Sequence, residues 1–278
     1  MEEFHYRIPW RSGSAHPGHH KSRASGGGYE FHGHTSLINA GDPRHLDVRA
    51  SLSAPFGQYR VRQFLQTSII PVMILADLSA SLAIGCKPML LARISAAIAH
   101  SARRTGDPCG FIGIAENDRP GLTFPLRRHK MLGLTLVREL NQFPFRGTGL
   151  TDKIQWSTWL GRRKSLVFLM SDFHFPLATL ESILQQLHPH DVVPVVLWLQ
   201  EEWTPPVRWG VARLKDPESK TTRLLWLHPA KTRELEQRFQ KRRGQITQIC
   251  QHYGRPPFFV VDTFQPDALN RYFLETCA

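Results

Sequence analysis

Apolar and polar positions alternate in blocks from residue 69 onward, and the blocks have two lengths. The run "IIPVMILA", residues 69 to 76, is short, continuously apolar and closed by Asp77 and Ser79, as expected of a strand buried on both faces. "SLVFLMSD", ending at Asp172, and "VVPVVLWL" repeat the pattern, while "CGFIGIAE" and "LTFPLR" read as further strands. Between them the period lengthens. Leu90, Leu91, Ile94 and Ile98 predict a helix over 88–104, and Leu177, Leu180, Ile183, Leu184 and Leu187 predict another after Asp172. Helices are also expected over 129–141 and 152–160. Strands alternating with helices imply a mostly parallel sheet covered on both faces.

The flanks differ from this central block. "RSGSAHPGHHKSRASGGG", residues 11 to 28, is small, polar and glycine-rich and predicts a loop or arm, and "VRQFLQTS" a short strand or helix. Past residue 200, "VRWGVARLKD" and "TTRLLWL" suggest a hairpin, followed by a long basic helix over about 230–252, the strand "FFVVDT" and a terminal helix. Phe239, Ile246 and Ile249 fall near one side of the basic helix, as core residues would. The expected organisation is an N-terminal arm and segment over 1–68, the central α/β domain over 69–200, and a hairpin with helices over 201–278 that completes the same unit.

Charge alters the picture more than composition does. Apolar residues make up 41% of the 278 positions, ordinary for a globular chain, but 35 Lys and Arg stand against 23 Asp and Glu, for a net +12. That excess suggests an acidic partner surface. Ten of the basic residues lie between 119 and 164, among them Arg127, Arg128, Lys130 and Arg146, against only Glu139 and Asp152. Neither a signal-like start nor an apolar run near the ~20 residues of a membrane span is present, so a cytoplasmic protein is expected. Cys86, Cys109, Cys250 and Cys277 have no framework spacing and read as structural thiols in a reduced compartment. His16, His19, His20, His32 and His34 match no regular zinc spacing and read as solvated.

Two strands ending in aspartate should place Asp77 and Asp172 at one edge of the sheet, where open parallel sheets bind ligands. A carboxylate in a dry place must be compensated. Ser79 and Ser81 follow Asp77 closely, and the loop "FRGTGLTDK" supplies Thr148, with Thr151 as the other candidate. Asp77, Ser79, Ser81, Thr148 and Asp172 are all hard oxygen donors, a set that suits Mg²⁺ or another divalent ion such as Mn²⁺ or Ca²⁺. The competing reading is local capping, with Asp77 as a turn residue.

"DLSAS" resembles the D-x-S-x-S of von Willebrand factor A domains, whose metal-ion-dependent adhesion site (MIDAS) adds a threonine and an aspartate from later loops. Upstream, Gly28-Tyr29-Glu30-Phe31 and Gly41-Asp42-Pro43-Arg44-His45-Leu46-Asp47-Val48 resemble stretches of a bacterial family encoded beside MoxR-type AAA+ ATPases. The run "DPRHLDVRASL…FG…VRQF" further resembles the branch of that family found in methanol-oxidation gene clusters. Val48 stands where the broader family usually has Trp, and Ala80 where many members have Gly. The resemblance spans roughly residues 16 to 275. It implies a von Willebrand factor A-like, Rossmann-like α/β fold that binds rather than turns over, with a partner's carboxylate completing the metal shell.

The function expected from this resemblance is a metal-dependent interaction module. It would act with a MoxR-type ATPase in maturing a client metalloenzyme, methanol dehydrogenase being the suggested case, with Arg127, Arg128, Lys130 and Arg146 steering the acidic partner. An aspartyl-phosphate phosphohydrolase is the enzymatic alternative, against which Ser79 occupies the place of the second acid and no appropriately placed lysine is evident. A nucleic-acid binder is supported by charge alone, without a recognition motif, and is not expected.

Overall fold

The structure is a computed structural model that describes residues 2–12, 14, 16–39, 42–115, 119–148, 150–204, 209–215 and 222–276. The chain divides into two compact units, Ile8–Ile70 and the combination of Met1–Arg7 with Pro71–Ala278.

In the smaller unit, β1 (Pro17–Ser36) pairs antiparallel with β2 (Arg60–Ser68) through several register shifts, and α1 (Val48–Leu52) lies between them in sequence. The arm expected over 11–28 is thus largely strand. Its small polar residues carry no apolar alternation, and it is cross-strand pairing with β2, distant in sequence, that extends it. Asp47 ties the unit together. Its carboxylate accepts from the Ala50 N–H, Arg62 Nε at 2.7 Å and His34 Nε2 at 3.0 Å, which together hold its pKa well below the usual carboxylate range. Gly41 and Cys277 lie outside the described residues.

The larger unit is built on a six-stranded sheet in the order β10-β7-β6-β3-β4-β5. Its members are β3 (Val72–Asp77), β4 (Cys109–Ile114), β5 (Pro120–Arg127), β6 (Leu166–Ser171), β7 (Asp191–Trp198) and β10 (Phe258–Val261). All neighbours are parallel except β5, which runs antiparallel to β4 at the edge. Every residue of β3, β4 and β6 is buried, as their unbroken apolar runs require. The helices are α2 (Lys87–Thr105), α3 (Leu132–Gln142), α4 (Ser157–Leu160), α5 (Leu177–Leu187), α6 (Pro229–His252) and α7 (Pro266–Thr276); β8 (Gly210–Lys215) and β9 (Thr222–Leu227) form a separate hairpin. Only four residues of the helix expected over 152–160 are helical, the rest being turn or irregular.

Side chains alternate across the sheet. Met73, Leu75, Val167 and Leu169 face α5 and α6, where Leu180, Ile183, Leu184, Leu187 and Ile246 fill the core, with Phe239 and Ile249 partly buried against it. On the other face Phe168 meets Phe4 and, from α7, Phe273, at ring separations of 6.1 Å each. Residues 2–7, read from sequence as part of the arm, therefore belong to this core: Phe4 is 3% exposed and Tyr6 donates to Asp107. At the start of β7, Arg255 grips Asp191 through two bonds of 2.7 and 2.9 Å. Cys109 and Cys250 are buried thiols whose pKa burial pushes up to about 12. No helix among the described residues is long and apolar enough to cross a membrane.

Phe4→Ala is expected to cost about 3 kcal/mol through the cavity it leaves between Phe168 and Phe273. Urea unfolding of the substituted chain checks this; a loss near zero would mean that the segment does not pack in the core.

Candidate metal centre

The strand order reverses at β3: β4 lies on one side and β6 on the other. Such a switch point opens a crevice at the carboxyl ends of the two strands. Asp77 is the last residue of β3, and Asp172 follows the last residue of β6. The turn after β3 is seated by Leu78, whose N–H donates to the Ile114 carbonyl at 2.7 Å. Gly113 makes room for it, since a Cβ there would stand 2.4 Å from the Leu78 side chain.

This turn closes a ring of oxygens. The Ser79 N–H donates to Asp77 Oδ1 at 2.9 Å and the Ser171 hydroxyl to Asp77 Oδ2 at 2.8 Å. The Ser79 and Ser81 hydroxyls lie 3.0 Å apart, and Ser81 hydrogen-bonds the Asp172 carboxylate. Asp77, Ser79, Ser81 and Asp172 are 1%, 0%, 8% and 2% exposed. Four of the five predicted ligands are thus brought together at buried positions. Thr148 is placed beside it: the Ala80 N–H donates to the carbonyl of Gly147 at 3.2 Å, and the exposed Thr148 follows. Thr151 serves a turn, its hydroxyl accepting from the Lys153 N–H.

The two carboxylates are not equivalent. Burial, followed by repulsion from Asp172, raises the Asp77 pKa to about 6 despite three hydrogen bonds to its charged form. No cationic side chain among the described residues pairs with it. Burial works in the same direction on Asp172, but His174 and Lys87 outweigh it, with help from Ser81, and hold its pKa below the usual value. Lys87 Nζ lies 3.0 Å from Asp172 Oδ2 and 2.5 Å from Glu202 Oε1. The backbone around Asp172 is clamped as well. Trp198 Nε1 donates to its carbonyl at 2.8 Å, and Arg242 donates to the carbonyls of Phe173 and Phe175. Phe173 sits at φ 52°, a left-handed conformation that costs a bulky residue about 1–3 kcal/mol. Its N–H donates to Ser171 Oγ at 3.1 Å, part of what holds it there.

The basic rim expected from sequence divides. Arg146 precedes Gly147 at the site loop. Arg127 pairs with Cys109 at the start of β4, whereas Asp77 pairs with Ile114 at its end, so Arg127 lies at the opposite edge of the sheet, roughly 17 Å away along the strand. Arg128 lies beside Gly106, the C-terminal cap of α2, and Lys130 lines a cleft with His100 and Arg103 near the same end. Those three residues do not rim the site: β5 runs antiparallel, which carries its C-terminus away from it.

Sequence reasoning missed Lys87, Glu202, Ser171 and His174. For Lys87 a signal existed: a lysine opens a helix whose first turns are otherwise apolar, at the end where the helix dipole disfavours a cation. For Glu202, in "LQEEW", there was none.

The model of the family described as protein of unknown function DUF58 matches residues 40–245. The chain belongs to the DUF58 family. The matched stretch of this DUF58 chain contains the whole oxygen ring, Lys87 and Glu202. No curated protein matches it. Among the solved structures that match, two show the distance of the likeness. One is an aerotolerance-related membrane protein from Bacteroides fragilis, at TM-score 0.45 and 11% identity, covering 75% of this chain and 98% of that one. The other is proximal thread matrix protein 1 from the mussel byssus, at TM-score 0.36 and 13% identity, covering 46% of this chain. The chain spans 37% of the length of that mussel protein.

The Asp77 carboxyl is expected to make metal-free stability depend on pH. Its folded-state pKa of about 6 lies above that of the unfolded chain, so the folded state holds the proton more tightly. Stability relative to the protonated form is untouched below pH about 4, then falls as the pH climbs through 6, by about 3 kcal/mol in all. Urea unfolding in chelator should show this decline in the wild-type chain and lose it in Asp77→Asn; parallel pH profiles would refute the assignment.

Proposed function

We propose that the ring is a divalent-cation centre of a von Willebrand factor A-like domain, and that the chain is a metal-dependent protein-interaction module rather than an enzyme. The observation that carries this reading is the buried Asp77 carboxylate. It has no cationic partner among the described residues and is surrounded by hydroxyls and a second carboxylate, so the donor set fits a hard cation. Asp77, Ser79, Ser81 and Asp172 would hold Mg²⁺, with Thr148 reaching in from the adjoining loop. A cation bound there offers its remaining coordination position to a carboxylate of another protein.

Ser171 and the Ser79 N–H orient Asp77, while Trp198 and Arg242 fix the turn that presents Asp172. Arg146, at the edge of the site loop, adds positive charge toward an acidic partner. The resemblance to chains encoded beside MoxR-type AAA+ ATPases supports such an ATPase as a working partner. A client metalloenzyme, with methanol dehydrogenase as the first to test, would be the protein being matured.

Lys87 favours a second reading, an aspartyl-phosphate phosphohydrolase using Asp77, because it provides the lysine that sequence reasoning did not find. Ser79 still stands where such enzymes carry their second acid. Mg²⁺-dependent hydrolysis of p-nitrophenyl phosphate that disappears in Asp77→Ala would favour the enzyme.

Thermal unfolding after chelation, then with Mg²⁺, Mn²⁺ or Ca²⁺, tests the centre directly. At ~100 times its dissociation constant a cation adds about 2.7 kcal/mol to the folded state. Asp77→Ala, which removes a buried charge and should still fold, is expected to lose that gain. No rise with any of the three ions, or an equal rise in Asp77→Ala, would overturn the reading.

A further inference from the structure

Lys87 is fully buried, at the first turn of α2, where burial and the helix dipole both oppose a positive charge. It persists there because two acids hold it: Asp172 Oδ2 at 3.0 Å and Glu202 Oε1 at 2.5 Å. The other Glu202 oxygen faces His174 Nε2 at 3.5 Å. The carboxylates of Asp172 and Glu202 therefore meet on one ammonium, and Asp172 is also hydrogen-bonded to Ser81 of the oxygen ring.

We propose that Lys87 is a built-in competitor for the cation, pairing with Asp172 and Glu202 so that the centre stays weak and Mg²⁺-like until a partner's carboxylate joins it. This inference rests on the reading of the ring as a cation centre and deepens it. With Lys87 in place, Asp77 and the serine hydroxyls are the donors that no ammonium contests. Mg²⁺ is satisfied by one or two carboxylates and retained waters, whereas Ca²⁺ takes 6–8 oxygens and tolerates several carboxylates. Removing the ammonium frees Asp172 and adds negative charge, which favours cation binding, that of Ca²⁺ above all. Removing the Glu202 charge does the opposite, because the ammonium is then balanced by Asp172 alone. A lysine that merely packs would not give effects of opposite sign.

The test is calorimetric titration of the chelator-stripped full chain with Mg²⁺ and Ca²⁺, in wild type, Lys87→Met, Lys87→Arg and Glu202→Gln, with folding checked by circular dichroism. Lys87→Met is expected to tighten binding about tenfold or more, with the larger gain for Ca²⁺. Glu202→Gln should loosen binding several-fold, and Lys87→Arg should stay near wild type. A folded Lys87→Met that binds no more tightly than wild type overturns the inference, as does Glu202→Gln binding equally or better. If Lys87→Met fails to fold, Glu202→Gln decides alone. Binding by Lys87→Met with none by wild type would support the inference while overturning the reading that the native chain holds the ion by itself. Absence of binding in every folded variant overturns both.

Discussion

Two carboxylates of like charge, buried at neighbouring strand ends, are the constraint around which the larger unit is arranged. Leaving water costs each of them several kcal/mol, and their mutual repulsion in a dry crevice adds to it. The surroundings divide the burden unequally. Asp172 receives an ammonium, a hydroxyl and the neighbouring His174, and stays acidic, whereas Asp77 receives only hydrogen-bond donors and is pushed toward neutrality. A site with one satisfied and one unsatisfied acid is poised to gain from any positive charge that reaches it.

Much of the nearby structure serves to hold that arrangement still. Gly113 lets Leu78 settle, and Leu78 anchors the turn that aims both serines. On the other strand, Trp198 and Arg242 hold the backbone of residues 172–175, and Phe173 is kept in a left-handed conformation between them. Trp198 belongs in turn to a cluster with Trp203, Phe239 and Phe259, so packing of α6 supports the geometry of the acids. Rigidity of this kind keeps the two acids and the serine hydroxyls in one geometry.

The fold was legible where one residue's burial is decided by its near neighbours in sequence. The apolar runs of β3, β6 and β7 and the periodic face of α2 are such cases, and so was the convergence of Asp77 with Ser79 and Ser81. It was not legible where pairing crosses the chain. Residues 17–28 look like a loop until β2 pairs with them, and Phe4 looks like part of an arm until Phe168 and Phe273 enclose it. The antiparallel direction of β5 likewise decided which basic residues could approach the site. Arg146 stayed near, while Arg127, Arg128 and Lys130 went to the other edge.

The amino-acid sequence by itself therefore determined the alternating α/β pattern, the placing of two acids at strand ends and the oxygen character of the donors, because these follow from local periodicity and residue chemistry. Only the tertiary structure decided that Lys87 and Glu202 join those acids. They lie 115 residues apart in the chain and are brought together by the parallel crossovers, and neither shows in the sequence which charge it will meet. Burial makes a partner for Lys87 obligatory, since an ammonium cannot remain unpaired there without heavy cost.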